Sequence, residues 1–326
     1  MAENRLKIVS VENGNDSPKK PSRAPEARRE EAQAKYERLW LLDPEQFNPL
    51  RDCVNRERIQ RTWTAITQTG DLKEKKVADL GCGKGILTLK MRDAGAQVDA
   101  LDVASNAFKQ LLQKSDLTHI KLIQDWVPKT ALLDDTYDLV LSTDLIAELS
   151  PNDFRLYFSE LARLIKPKGH VIVSTPLDIK AEDALERFYK LAETEFVMST
   201  WIFSYHRLHI RMSDFFGAAK RFKRAGGNKD DRHQQLIKRK GFSHSWFKFN
   251  SQPVLASLWG IVAFILQPVN YLLDQSTGFM IFLEKVSRFV YAEAGISHAI
   301  FVGERKPIIV PEPSPILGKE KVRKWE

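Results

Sequence analysis

Between residues 76 and 176 short apolar runs alternate with stretches of helical spacing, and this alternation restricts the fold more than any other feature. Residues 76–80 read as a buried strand, 86–96 as a helix stopped near Gly95, 96–103 as a strand and 104–115 as a helix. Strands at 119–126 and 137–144, a helix over 152–166 and a strand over 169–176 continue the series. Strands separated by helices of about 10–15 residues predict βαβ units, and therefore a parallel sheet covered by helices.

The flanks differ in character. Residues 1–24 are polar, with Asn-Gly-Asn-Asp at 13–16, and read as a disordered tail that cannot bury enough apolar surface to order itself. Pro25 opens a charged helix in which Tyr36 and Trp40 share a face, and 52–67 repeat the helical spacing through Val54, Ile59, Trp63 and Ile66. These helices and the alternating core make one unit, 25–176. A helical insertion is expected over 177–295, a last core strand over 296–307 and an extended proline-rich tail over 308–326.

The chain has 326 residues, a net charge of +8 and two cysteines, Cys53 and Cys82. Two cysteines exclude a disulfide framework, and the start MAENRLKIVS has no apolar signal region. A cytoplasmic location is expected, with attachment to the periphery of a membrane left open. The positive balance favours anionic partners without choosing among them.

The turn after the first strand, VADLGCGKG (77–85), places glycines at 81, 83 and 85. A turn from strand to helix offers free backbone amides to a ligand, and glycine lets that ligand approach closely. The spacing is one residue shorter than the dinucleotide fingerprint, which weakens the case for pyrophosphate, and Lys84 is followed by Gly85 and Ile86, so a P-loop is not expected. Asp102 ends the second strand, 23 residues after Asp79, where an acid can accept from both ribose hydroxyls. Asp125 and Trp126 end the third, where an acid suits an exocyclic amine and an indole covers a purine face.

The series VADLGCGKG, LDVA, QDWVP, YDLVLSTDLIAEL and LIKPKGHVIVSTP resembles the class I S-adenosylmethionine-dependent methyltransferases, in particular small-molecule enzymes of the quinone-biosynthesis type. The resemblance covers about 52–176 and the strand at 296–306. It implies a Rossmann-like doubly wound α/β sheet, mostly parallel with an antiparallel last strand, plus an inserted helical cap. It also implies S-adenosylmethionine as cofactor. Asp79, Gly81 and Gly83, with Cys82 between them, match the methionine end of that site. Asp102 and its neighbour Val103 match the ribose, Asp125 and Trp126 the adenine, and Thr143 the carboxypropyl chain. Quinone-type relatives carry a Glu-x-x-Glu-His pattern after the fourth strand. Here the matching positions are Asp144, Ala147 and Glu148; the central acid and the histidine are both missing, so no metal site is carried over.

In-line methyl transfer needs alignment and exclusion of water, and a base only where the acceptor is a hydroxyl. Asp144 and Glu148 are candidates by position, and His206 or His209 by their place in the insertion. Each has a plain structural alternative: Glu148 can complement a helix dipole, and the histidines can be structural or solvated. Residues 220–241 then carry nine Lys or Arg against two Asp, and no charge follows from Phe249 to Leu273. Two readings of this block stand side by side: a buried cap over the site, or an interfacial helix pair on an anionic membrane surface. Both favour a hydrophobic small-molecule or lipid-like acceptor. The alternatives are an RNA or protein acceptor, or a non-catalytic cofactor-binding protein of the same fold; no RNA-binding module is visible beside the basic run and its aromatics, Phe222, Phe242, Trp246 and Phe247.

Overall fold

The computed structural model describes residues 25–113, 116–177, 183–228, 232–233, 236 and 241–307. Both expected tails and part of the basic run lie outside them. The described residues form a seven-stranded sheet of order β3-β2-β1-β4-β5-β7-β6. Its strands are β1 (Lys76–Leu80), β2 (Gln97–Asp102), β3 (Ile120–Gln124), β4 (Tyr137–Thr143), β5 (Ile165–Pro176), β6 (Phe196–Ser204) and β7 (His298–Arg305). The first five are parallel, and β7 runs antiparallel between β5 and β6.

Successive side chains of a strand face opposite ways, and the sheet uses both faces. Leu139, Leu141, Ile172, Ile300 and Val302 pack beneath Ala65, Ile66 and Met91, which come from α2 (Cys53–Gln68) and α3 (Ile86–Asp93). Val140, Val171, Val173 and Phe301 pack on the other face against Phe158, Leu161 and Phe188, from α5 (Phe154–Leu164) and α6 (Ala184–Glu195). Gly169 is confined there, since a Cβ would lie 3.0 Å from the Tyr137 carbonyl oxygen.

Two local elements differ from the sequence reading. The helix expected over 104–115 is a 3-10 turn, Ser105–Phe108, followed by the single α-turn α4 (Lys109–Leu112). The Glu37 carboxylate ties its first amides to α1, accepting from Ser105 N at 2.6 Å and Asn106 N at 3.1 Å. The stretch from 177 onward is also not helical throughout. Residues 196–204 form the edge strand β6, because their β-branched and aromatic side chains pack on β7, with Trp201 and Phe301 centroids 5.6 Å apart.

The helical layer after β6 consists of α7 (Arg207–Gly227), α8 (Gly241–Asn250), α9 (Pro253–Ile265), α10 (Gln267–Gln275) and α11 (Thr277–Tyr291). At the other side α1 (Pro25–Leu42) and a 3-10 turn, Pro44–Phe47, close over the C-terminal ends of β1 and β2. Trp40 stacks on Phe47 at 4.5 Å and lies against Gly83. In an open parallel sheet this end, at the reversal of strand order between β1 and β4, is where ligands bind.

Candidate functional site

A cavity of about 620 Å³ occupies that crevice, roofed by α1 and walled on one side by α2. The glycine turn forms its floor. Gly81 and Gly83 have φ of 74° and 52°, in the region that L side chains rarely adopt, and a Cβ on Gly81 would stand 3.3 Å from the Leu145 side chain. The turn is anchored from behind, where Gly81 N and Cys82 N donate to the Leu101 carbonyl at 2.8 and 3.0 Å.

Two buried carboxylates flank the turn. Asp79 Oδ2 accepts from the Thr88 hydroxyl at 2.5 Å. Burial pushes its pKa up to about 6; the Thr88 bond opposes the shift and the Asp102 charge adds to it. Asp102 Oδ2 accepts from Gly83 N at 3.1 Å and Oδ1 from Ala104 N at 3.0 Å. Its pKa also rises to about 6 through burial, against these backbone hydrogen bonds. Each Asp102 oxygen keeps a second lone pair for a ligand hydroxyl. Burial and the two acids push the Cys82 thiol well above its usual range, so it stays protonated.

Val103, Asp125, Trp126 and Thr143 line the same cavity. Asp125 accepts from Trp126 N at 2.8 Å and Ala131 N at 2.7 Å, and the Arg29 guanidinium reaches it from α1 at 3.0 Å. The residues expected at the cofactor's methionine, ribose and adenine ends thus surround one space. That space suits the cofactor: a turn whose glycines present no Cβ to a ligand at one end, and a cluster of buried acids suited to a sulfonium cation.

Asp144 lies at the end of β4 with φ 58° and lines the cavity. Its Oδ1 accepts from His298 Nε2 at 2.9 Å and the Ser174 hydroxyl at 3.2 Å, while Oδ2 pairs with Arg58. Burial lowers the Arg58 pKa to about 10 and holds the His298 pKa well below its ordinary value, with Arg58 and Arg61 adding to the latter. His298 is therefore neutral, and with Nε2–H donating, Nδ1 carries a lone pair that is buried without a partner among the described residues. Glu148 is half-exposed at the rim, bonded to the Tyr36 hydroxyl and 3.6 Å from Lys35 Nζ.

Both histidines proposed from the insertion lie away from the cavity lining. His206 is buried near the Arg61–Glu284 pair, its ring nitrogens without hydrogen bonds among the described residues, and burial lowers its pKa to about 4. His209 Nε2 meets the Leu273 carbonyl at 2.8 Å, a carbonyl that the Cys53 thiol shares at 3.0 Å. That arrangement ties α2, α7 and α10 together and faces no ligand space.

Sequence reasoning missed Arg58, His298 and the α1 contacts Tyr36 and Glu37. Register supplies the missing signal for His298: β7 pairs antiparallel with β5 so that His298 stands beside Pro176, which lines the cavity.

Residues 77–169 match the family model of a methyltransferase domain. Ubiquinone biosynthesis O-methyltransferase of Photobacterium profundum is 34% identical over 143 residues, 42% of this chain and 57% of that protein. Ribosomal protein L11 methyltransferase of Campylobacter concisus is 30% identical over 112 residues, 34% of this chain and 38% of its own length. The chain thus spans less than two thirds of these relatives. Among solved structures, the N-methyltransferase NodS of Bradyrhizobium japonicum, bound to S-adenosyl-L-homocysteine, aligns at a TM-score of 0.44 and 16% identity, covering 53% of this chain and 90% of that one. Residues 77–169 thus carry a methyltransferase domain, and motif series and sheet order make the core of this chain similar to the class I S-adenosylmethionine-dependent methyltransferases.

Proposed function

We propose that the chain transfers a methyl group from S-adenosylmethionine to a hydroxyl oxygen of a hydrophobic small molecule or lipid-like acceptor. The observation that carries this reading is Asp144, a cavity-lining carboxylate held by His298 on one oxygen and Arg58 on the other. It follows Thr143, the residue expected beside the donor's carboxypropyl chain.

The bound cofactor supplies a methyl group already activated on a positive sulfur. The protein aligns donor and acceptor, and such alignment is worth roughly 7–11 kcal/mol of barrier. A hydroxyl acceptor would have to give up its proton on taking the methyl group. In this reading Asp144 would take it, a contribution of about 10²–10⁴-fold. His298 and Arg58 fix the carboxylate's direction. Trp40, Phe47, Ile59, Leu145 and Leu149 give the cavity apolar walls, which supports a hydrophobic acceptor, as does the likeness to the ubiquinone biosynthesis O-methyltransferase of Photobacterium.

Incubation with methyl-labelled cofactor and lipid extracts or simple phenols tests the reading. Label is expected in an extractable ether. Label in protein or RNA would replace the acceptor class, and cofactor binding without transfer to any fraction would leave only a binding protein. Thermal stabilisation by NAD and not by S-adenosylmethionine would overturn the cofactor as well.

A further inference from the structure

Residues 253–273 hold no charged side chain, whereas 207–250 hold twelve Lys or Arg against three Asp. The structure turns this contrast into a surface. α9 packs antiparallel on α7 through small residues: a Cβ on Gly226 would lie 2.1 Å from that of Ala256, Phe222 meets Trp259 at 5.1 Å, and Lys223 runs over Gly260. Ala256 and Ala263 are buried on this inner face.

The outer face of α9 is apolar and bare. Val254, Leu258, Ile261 and Ile265 recur at helical spacing with Phe264 beside them, and are 78, 56, 60, 67 and 76% exposed. Scattered exposed apolar residues are ordinary, but five large ones on one 13-residue helix make a contiguous patch of the kind that marks an interaction site. Tyr271 on α10 and Phe282 and Phe289 on α11 are exposed as well, with Lys285 between the last two along the helix face.

The charge pattern selects the partner. Exposed Lys220 and Lys223 stand on α7 and Lys248 just before α9. A second copy of the chain would bring the same cations to the same contact, and like charges juxtaposed oppose association. A bilayer surface with anionic headgroups offers an apolar interior for the patch and negative charge for the lysines. Docking of this kind needs no crossing helix. No single helix among the described residues is long and apolar enough to span; α9 and α10 together have the length and composition, but are bent by 59° from one another. The 13 residues of α9 reach about 20 Å, short of the ~30 Å of a hydrocarbon core.

We propose that the outer faces of α9 to α11 dock the protein on the anionic surface of a lipid bilayer, lying in the interface with the α7–α8 lysines toward the headgroups. This goes beyond the proposed reaction and does not depend on it.

The test is co-sedimentation of the full chain with phosphatidylcholine vesicles, with and without phosphatidylglycerol. Sedimentation is expected with the anionic vesicles and is expected to weaken with salt. Ile261→Ser combined with Phe264→Ser should reduce the affinity about tenfold or more, because the apolar anchor is lost. Lys220→Glu combined with Lys223→Glu should remove the salt-sensitive part. All four residues are exposed, and each variant's folding is checked by its melting curve and by its thermal shift with S-adenosylmethionine. Absence of sedimentation, or sedimentation that neither variant reduces, overturns the proposal. So does a dimer that Ile261→Ser with Phe264→Ser converts to monomer while the parent ignores vesicles, which would assign the face to a second copy.

Discussion

His298 Nε2 lies 2.9 Å from Asp144 Oδ1 across 154 residues of sequence, joining the first residue of the antiparallel strand to the carboxylate that ends β4. The pair places a neutral imidazole behind an acid that faces the cavity. Asp144→Asn keeps the shape and removes the acceptor of a proton, so kcat for a hydroxyl substrate should fall about 10²–10⁴-fold. Cofactor affinity by calorimetry should stay near wild type. Loss of cofactor binding in parallel would place Asp144 in the donor site instead.

His298→Ala should lower kcat less, by about tenfold, because Arg58 still holds the other oxygen of Asp144. Kinetics of the single and double variants separate the roles. If the effects multiply as independent factors, His298 does not act through Asp144.

Asp102→Ala removes the cavity-lining carboxylate proposed to hold the ribose and should weaken S-adenosylmethionine binding by roughly 1–3 kcal/mol. Titration calorimetry measures this directly. An unchanged dissociation constant would take Asp102 out of the site.

The affinity should also depend on acid. Asp79 and Asp102 titrate near pH 6 in the ligand-free fold because they are buried. A cation and ribose hydroxyls prefer the ionised forms. Affinity is therefore complete above about pH 7 and falls as pH drops through 6. Binding at pH 6 should release protons, seen as a calorimetric heat that changes with the buffer.

His206 sets an opposite test of stability. Its folded pKa, about 4, lies below the ordinary value of 6.5, because burial disfavours the charged ring. The neutral form's contribution is present above pH 6.5 and is lost as pH falls from there toward 4. His206→Leu should flatten that part of the melting temperature profile, while leaving kcat near wild type. A large loss of kcat with normal melting would return His206 to the catalytic machinery.

Much of this site is local in sequence, which is why it could be read there. The strand, the glycine turn and the next helix occupy eighteen consecutive residues, 76–93, and each strand end places one acid. Asp144 and Glu148 could be located by the same reasoning, but their partners could not. Arg58 meets Asp144 from 86 residues away, and Tyr36 meets Glu148 from 112. Nothing in the spacing around Arg58 or His298 differs from an ordinary helix face or strand end. The edge strand β6 was hidden for a related reason. Its aromatics pack on β7, more than ninety residues later, and tertiary pairing decides strand formation where local preference is divided.

The α1 roof couples three parts of the cavity wall. Arg29 on α1 holds the Asp125 carboxylate, Glu37 holds the turn after β2, and Tyr36 holds Glu148 at the rim. One helix thus braces the ends of β2 and β3 and the turn after β4 together, so a change in its position would disturb all three at once.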